Sequence, residues 1–294
     1  MSLLVCAFED EAAPAGRLAE ALGARLALID LHRFPDGESL PTAPLGADRV
    51  LVYRSLDRPD PKIVPLLLAC DGWRRGGSGR LVLVAPYLCY MRQDTRFAPG
   101  QPISRDVIGR LLGERFDRIV TVDPHLHRTA DIAAVFGTEV SVLSAARPLA
   151  QALALEGPPP LLIGPDEESE RWTAALAAQM GAPHVTFRKI RHGDRSVDLI
   201  LPPDTEIAGR TVVLVDDICS SGATLVAAAR LVAAKGAGRI EAAVVHALFD
   251  ERAALELKAA GVSRIVSTDS CPHPTNAVSL ARELANALAG ELLS

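Results

Sequence analysis

Residues 212–225 read VVLVDDICSSGATL, so Asp216 and Asp217 stand side by side directly after four apolar residues. Adjacent carboxylates repel each other, and the arrangement is costly unless a cation or several hydroxyls meet them. A divalent metal ion or the hydroxyls of a sugar ring would serve. Ser220, Ser221, Gly222, Ala223 and Thr224 follow, and then Leu225, Ala228, Ala229 and Val232 recur at helical spacing. A loop of small residues that opens a helix can turn its backbone N–H groups toward an anion, which the helix dipole also favours. The Ser221 and Thr224 hydroxyls add donors. A plain strand–loop–helix turn with capping hydroxyls would account for SSGAT alone, and the paired acids before it argue for a ligand.

Other stretches could do related chemistry. Residues 86–104 read PYLCYMRQDTRFAPGQPIS and place Arg92, Gln93, Asp94 and Arg96 just beyond the apolar run 81–85. Guanidinium groups there suit a polyphosphate, because each binds two oxygens at once; a solvated loop with an internal Arg–Asp pair is the bland alternative. Residues 34–38, FPDGE, contain a Pro-Asp-Gly turn with Phe34 before it and Asp36 and Glu38 in it; a Phe in that place is usually a core anchor. Residues 123–127, DPHLH, hold His125 and His127, and a lone H-x-H is weak support for a metal site. Lys189 and Arg191 are two apart in a segment that reads as extended, which puts them on one side of a strand. Two cations on a mobile flap can meet developing negative charge and exclude water; a solvated basic strand would look the same.

These residues need a scaffold. Short, nearly continuous apolar runs lie at residues 3–7, 26–29, 50–53, 81–85, 119–122, 161–164, 212–215, 242–245 and 265–266. Such runs suit strands buried on both faces of a parallel sheet. Amphipathic patterns separate them. One follows Ser104, an N-cap candidate, with Val107, Ile108, Leu111, Leu112 and Phe116 as its apolar face. Strand–helix alternation over the whole length predicts an α/β class. Residues 184–190 and 196–201 break the alternation and read as a hairpin or flag, with a tip at 191–195 that is expected to be mobile. A boundary near 140–150 gives two lobes, 1–145 and 146–294, of ordinary domain size.

Composition narrows the function further. The 294-residue chain is 49% apolar with a formal charge of −5. A mild acidic excess argues against nucleic acid or an anionic membrane as main partner. No apolar run approaches the ~18 residues of a membrane span, and the N-terminus lacks a basic, apolar leader. Cys6, Cys70, Cys89, Cys219 and Cys271 show no C-x-x-C spacing and are expected to be free thiols in a reducing cytoplasm.

The stretch at 212–225 resembles the phosphoribosyl diphosphate (PRPP) motif of type I phosphoribosyltransferases and PRPP synthetases. Residues 86–104 closely resemble the ATP-binding R-Q-D stretch of PRPP synthetases, above all their archaeal-type branch. FPDGE, the V-D-x-H pattern ending at His125 and the K-x-R pair at Lys189 and Arg191 occur in the family's order, so the resemblance covers nearly the full length. It implies two tandem phosphoribosyltransferase-like lobes, each a mainly parallel sheet flanked by helices, with a β-hairpin flag in the second. It further implies a ribose-phosphate diphosphokinase that uses ATP, ribose 5-phosphate and Mg²⁺. Asp216 and Asp217 would hold the ribose hydroxyls, and Ser220, Ser221, Gly222, Ala223 and Thr224 the 5-phosphate. Arg92, Gln93, Asp94 and Arg96 would bind ATP, with Phe34, Asp36 and Glu38 of a neighbouring subunit at the adenine, so a homo-oligomer follows. His125 and Asp166 would serve the metal, and Lys189 and Arg191 catalysis; His127 matches nothing in the family and reads as structural.

One loop departs from the family. Where the family has P-D-x-G-G or P-D-x-G-A, residues 165–171 read PDEESER, with Glu168 and Ser169 in place of the small residues. Small residues allow close approach of backbone to a diphosphate, and Glu168 would crowd it and add like charge. Three outcomes stay open: a displaced loop with Arg171 supplying charge, a Mg²⁺ ion bridging Glu168 and the phosphates, or an impaired site in a regulatory relative. A phosphoribosyltransferase would explain residues 216–224 but not the stretches at 34–38 and 92–96.

Overall fold

In the computed structural model, residues 2–126, 131–153, 157–192 and 196–293 are described, and side chains for all of these except 189–198 and 293. His127 and the tip residues 193–195 lie outside this set, as do the side chains of Lys189 and Arg191.

The chain divides into two units, residues 1–143 with 280–294, and residues 144–279. The expected lobes end at 145 and 294; in the structure the C-terminal segment groups with the first unit. The reason is chemical, as shown below for Glu291.

The first unit is built on the expected apolar runs. Its strands are β1 (Leu3–Phe8), β2 (Arg25–Arg33), β3 (Ser39–Thr42), β4 (Arg49–Tyr53), β5 (Arg80–Val84), β6 (Arg118–Val122) and β7 (Glu139–Leu143), in the sheet order β3-β2-β1-β4-β5-β6-β7. All pairs are parallel except β2 with β3. Helices α1 (Ala12–Leu22), α2 (Asp60–Arg75), α3 (Ser104–Gly113) and α4 (Ile132–Phe136) connect them, and α9 (Ala281–Leu288) and α10 (Gly290–Leu293) return from the chain's end. The central strands are buried on both faces: Val50, Leu51, Val52, Leu81, Val82 and Leu83 are all 0% exposed. That is why these strands read as unbroken apolar runs rather than as alternation. Ser104 is not the N-cap of α3. It is the first helical residue, and its Oγ donates to Gln93 Oε1 at 2.6 Å.

The amino edge of this sheet explains the unit boundary. Arg49, Arg80 and Arg118 are the first residues of β4, β5 and β6; Arg49 pairs opposite Arg80, and Arg118 opposite Val82, two residues along β5, so the three share one end of the sheet. They converge on Glu291. Arg80 donates to its carboxylate from Nε at 2.8 Å and from Nη2 at 2.9 Å, Arg118 Nη1 at 3.1 Å, and Arg49 Nη1 reaches its backbone O at 2.8 Å. Burial alone would raise the Glu291 carboxyl, but hydrogen bonds from Arg80 and Arg118 outweigh it and hold the group below its usual value.

The second unit carries α5 (Ala146–Ala152), β8 (Leu161–Gly164), α6 (Glu170–Met180), β9 (His184–Thr186), β10 (Arg188–His192), β11 (Ser196–Ile200), β12 (Thr211–Cys219), α7 (Ala223–Ala234), β13 (Arg239–Ala247), α8 (Glu251–Ala259), β14 (Val262–Thr268) and β15 (Asn276–Val278). The sheet order is β15-β14-β13-β12-β8-β9, all parallel. The flag is present as the antiparallel pair β10–β11, with Lys189 opposite Leu199 and Arg191 opposite Val197. Its first arm is shorter than expected. Residues 184–186 belong to the main sheet, Phe187 is buried at 1% exposure, and the flag begins at Arg188. The two-lobe α/β architecture, with parallel sheets flanked by helices, is the expected one.

Candidate active site

The paired acids of the second unit sit inside β12, not past its end. Asp216 pairs with Val244, and the strand runs on to Cys219 opposite Ala247. The apolar run ends at Val215, so the sequence pattern gives a strand too short at its carboxyl edge. Asp217 is 3% exposed, and its N–H donates to Asp216 Oδ1 at 3.0 Å. Burial, then the charges of Asp217 and Asp166, push the Asp216 carboxyl well above its ordinary value. Three carboxylates therefore converge where the ends of β8 and β12 lie side by side, the edge at which open α/β sheets bind ligands.

Beyond β12 the chain turns through Ser220 and Ser221, both exposed, into α7. Gly222 makes the turn possible with φ of +74°, and a Cβ there would meet Ala253 Cβ at 3.2 Å. Ser221 Oγ accepts from the Ala223 N–H at 3.4 Å. A cavity of about 550 Å³ lies at the edge of the first sheet, and one of about 410 Å³ opens here, lined by Ser220, Ser221, Ala223, Leu248, Asp250 and Arg252 among others. Thr224 is half-buried in the first turn of α7.

Asp166 follows β8 and opens a tight 3-10 turn, residues 167–169. The Ser169 N–H donates to Asp166 Oδ1 at 3.1 Å, and Ser169 Oγ donates to the Asp166 carbonyl at 2.6 Å. The inward residue of this loop is Ser169, 1% exposed, whereas Glu167, Glu168 and Glu170 are exposed. Gly164 makes room: a Cβ there would lie 2.3 Å from Ser169 Oγ.

In the first unit the tip of the β2–β3 hairpin presents Phe34, Asp36 and Glu38. Phe34 N–H donates to Glu38 O at 2.9 Å, and Glu38 N–H to Asp36 Oδ1 at 3.1 Å. Phe34 is 40% exposed and meets His32 edge-on at 4.5 Å, so it is no core anchor. Arg92, Gln93 and Arg96 are exposed and Asp94 half-buried in the long segment after β5; His125 is half-buried after β6. Among the described residues, three non-glycine residues have positive φ, and all follow adjacent strands of this one edge: Arg58 (48°) after β4, Tyr90 (63°) after β5 and Asp123 (37°) after β6. Such strain persists where the surroundings over-determine the backbone, commonly at ligand sites.

Sequence reasoning missed a charged cluster on the same edge. Glu11, 1% exposed, accepts from Arg54 Nη1 at 3.1 Å, from the Ser55 N–H at 3.0 Å and from Lys62 Nζ at 3.3 Å. Lys62 Nζ also donates to Asp57 Oδ1 at 2.6 Å, and Arg54 stacks on Phe8 at 4.4 Å. Burial pushes the Glu11 carboxyl up to about 7, against the pull of Arg54 and Lys62. The signal was available: Arg54 and Asp57 directly follow the apolar run 50–53, just as Arg92 and Asp94 follow 81–85.

Comparison with known proteins agrees with this fold. The model of the N-terminal domain of ribose phosphate pyrophosphokinase matches residues 3–114, and that of the phosphoribosyl transferase domain matches residues 140–283. A ribose-phosphate pyrophosphokinase of Methanopyrus kandleri is 37% identical over 276 residues, covering 92% of this chain and 94% of the relative. The chain belongs to the ribose-phosphate pyrophosphokinase family. One from Halobacterium salinarum is 33% identical over 277 residues, covering 93% and 96%. The phosphoribosylpyrophosphate synthetase of Mycobacterium smegmatis shares the fold, with a TM-score of 0.84 at 23% identity and 99% of each chain covered.

The residues present suit a Mg²⁺ ion that arrives with substrate. Among the described residues no group of three or more His, Cys, Asp or Glu is arranged to hold a metal by itself. Mg²⁺ in phosphate-transfer sites needs only one or two carboxylates, the remaining ligands being phosphate oxygens and water. Burial first, and then the neighbouring acids Asp217 and Asp166, raise Asp216, and such a cation would offset that accumulation of charge.

Proposed function

We propose that this chain moves the β,γ-diphosphoryl group of ATP onto O1 of ribose 5-phosphate, forming PRPP and AMP. The observation that carries the reading is the convergence of Asp166, Asp216 and Asp217 beside the small-residue loop at 220–224, in a chain that also has the family's N-terminal domain. A transferase that consumes PRPP has no use for that first domain.

In this reading the first unit serves ATP and subunit contacts, and the second serves the sugar and the flag. Asp216 and Asp217 accept from the ribose hydroxyls and orient O1. Ser220, Ser221, Gly222, Ala223 and Thr224 hold the 5-phosphate. Arg92, Gln93, Asp94 and Arg96 hold the triphosphate, and Phe34, Asp36 and Glu38 reach the adenine of a neighbouring subunit in a homo-oligomer. The exposure of Phe34 supports that role. His125 and Asp166 would each serve Mg²⁺, whose charge would offset that of the phosphate oxygens. O1 attacks the β-phosphorus in line, the bond from that phosphorus to the α,β-bridging oxygen breaks, and AMP leaves with the oxygen. Lys189 and Arg191 meet the charge on the transferring group. Positioning and charge carry such a transfer without a strong base. A cytoplasmic setting is supported by five buried cysteines that form no disulfide; among the described residues no helix is long and apolar enough to cross a membrane.

Chromatography of the nucleotides formed with Mg²⁺, ATP and ribose 5-phosphate tests this. AMP that appears only with the sugar, without ADP, is the expected result. Nucleotide binding without AMP would overturn it in favour of a regulatory subunit.

A further inference from the structure

The acidic run at 167–170 is the chain's clearest departure from its family's small-residue loop, and its surroundings suggest a use. The reciprocal bonds between Asp166 and Ser169 fix the turn with Ser169 inside and the glutamates outside. Two of these glutamates have side-chain partners on the segment that leads into the flag. Glu170 Oε1 lies 3.2 Å from His184 Nε2 on β9. Glu167 Oε1 lies 3.8 Å from Arg188 Nε, on the first residue of β10 and immediately before Lys189. The contacts follow from topology: β8 pairs with β9 in parallel, Gly164 opposite Thr186, so acidic turn and flag base grow from neighbouring strand ends.

The Glu167 and Arg188 side chains are 70% and 80% exposed, and pairs of that kind add little to stability. They can still bias the orientation of the hairpin, because Arg188 stands at its base where it leaves the sheet. A loop of small residues offers no charge for this purpose.

We propose that Glu167 is a positioning residue, which holds the base of the flag through Arg188 and so sets how Lys189 and Arg191 are carried to the transferring group, with Glu170 and His184 as a second tether. The proposal rests on the reading of Lys189 and Arg191 as the catalytic cations.

Steady-state kinetics on the full chain test it, with Glu167→Lys, Arg188→Glu, the double variant that carries both, and Lys189→Ala. Each single reversal is expected to lower kcat by about tenfold and to leave KM for ATP and ribose 5-phosphate within about twofold, because the tether acts on the transfer step rather than on binding. The double variant restores the pair with reversed sign and should recover about half of the wild-type kcat. Melting temperatures should be unchanged. A double variant no faster than the slower single variant, or a Glu167→Lys enzyme with wild-type kcat, overturns the tether. Lys189→Ala separates the levels: if it is inactive while Glu167→Lys is normal, only the tether fails, whereas an active Lys189→Ala enzyme overturns both the tether and the catalytic reading of the flag.

Discussion

Two clusters of charge at sheet edges make opposite use of the carboxylate. At the amino edge of the first sheet, three arginines converge on the buried Glu291, two of them also pairing with Glu139, and the proton affinity of Glu291 falls. At the carboxyl edge of the second, Asp166, Asp216 and Asp217 crowd together, and burial with the neighbouring acids raises the proton affinity of Asp216. The first arrangement is electrostatically complete and fastens the chain's end. On the proposed function, substrate and its cation would offset that crowding, and the perturbed carboxyl is what marks this edge as a candidate site.

The comparison can be broken by substitution. Asp217→Asn should lower kcat/KM for ribose 5-phosphate by about 100-fold or more, a loss of about 3 kcal/mol in transition-state binding, with the melting temperature unchanged or raised. Glu291→Ala should do the reverse. Removing one partner of a buried pair costs several kcal/mol, here about 3 because Arg80 keeps partial access to water, and kcat at low temperature should stay near wild type. Denaturant unfolding with parallel assays separates the two results.

Much of this division is legible in the sequence, for reasons that also show where legibility ends. Asp216 and Asp217 announce themselves because acids directly after a buried run have no structural excuse. The length of β12 does not, since Asp216 and Asp217 interrupt the very pattern that marks a strand, although the backbone pairing with β13 continues. The flag's first arm was drawn too long because Phe187, a core residue, sits between two extended pieces. Arg49, Arg80, Arg118 and Glu291 each look like ordinary surface charges; only the sheet order brings them together across as many as 242 residues. In the acidic loop the sequence pointed to Glu168 as the crowding residue, whereas the buried one is Ser169, because Asp166 caps the turn and rotates the glutamates outward.

pH sharpens the comparison. Glu291 is held below its ordinary value, so its stabilisation is present above the unfolded carboxyl value of about 4.3 and fades only as pH falls through its lower folded value. Glu11 behaves in the opposite sense. Its carboxyl, raised from 4.5 to about 7, favours the fold below the lower value and loses that contribution as pH rises through the upper. Between those values wild type should lose on the order of 2 kcal/mol of stability that Glu11→Gln does not lose, which urea titrations at a series of pH values would measure.

The smallest effect is expected at the first hairpin. Phe34→Ala should raise KM for ATP by about fivefold, roughly the 1 kcal/mol of an aromatic stack, with little change in melting temperature because the ring is already exposed. An unchanged KM would remove Phe34 from the adenine site.

Asp216→Asn offers the most direct test of the central claim, that the carboxylates at the end of β12 are kept together for substrate at the expense of the fold. Melting temperature and AMP formation would be measured on the same preparation at neutral pH. A protein that melts higher than wild type and has lost AMP formation is the predicted result. One that melts lower and still forms AMP at the wild-type rate would show that the cluster is structural, and would contradict the assignment of this edge as the active site.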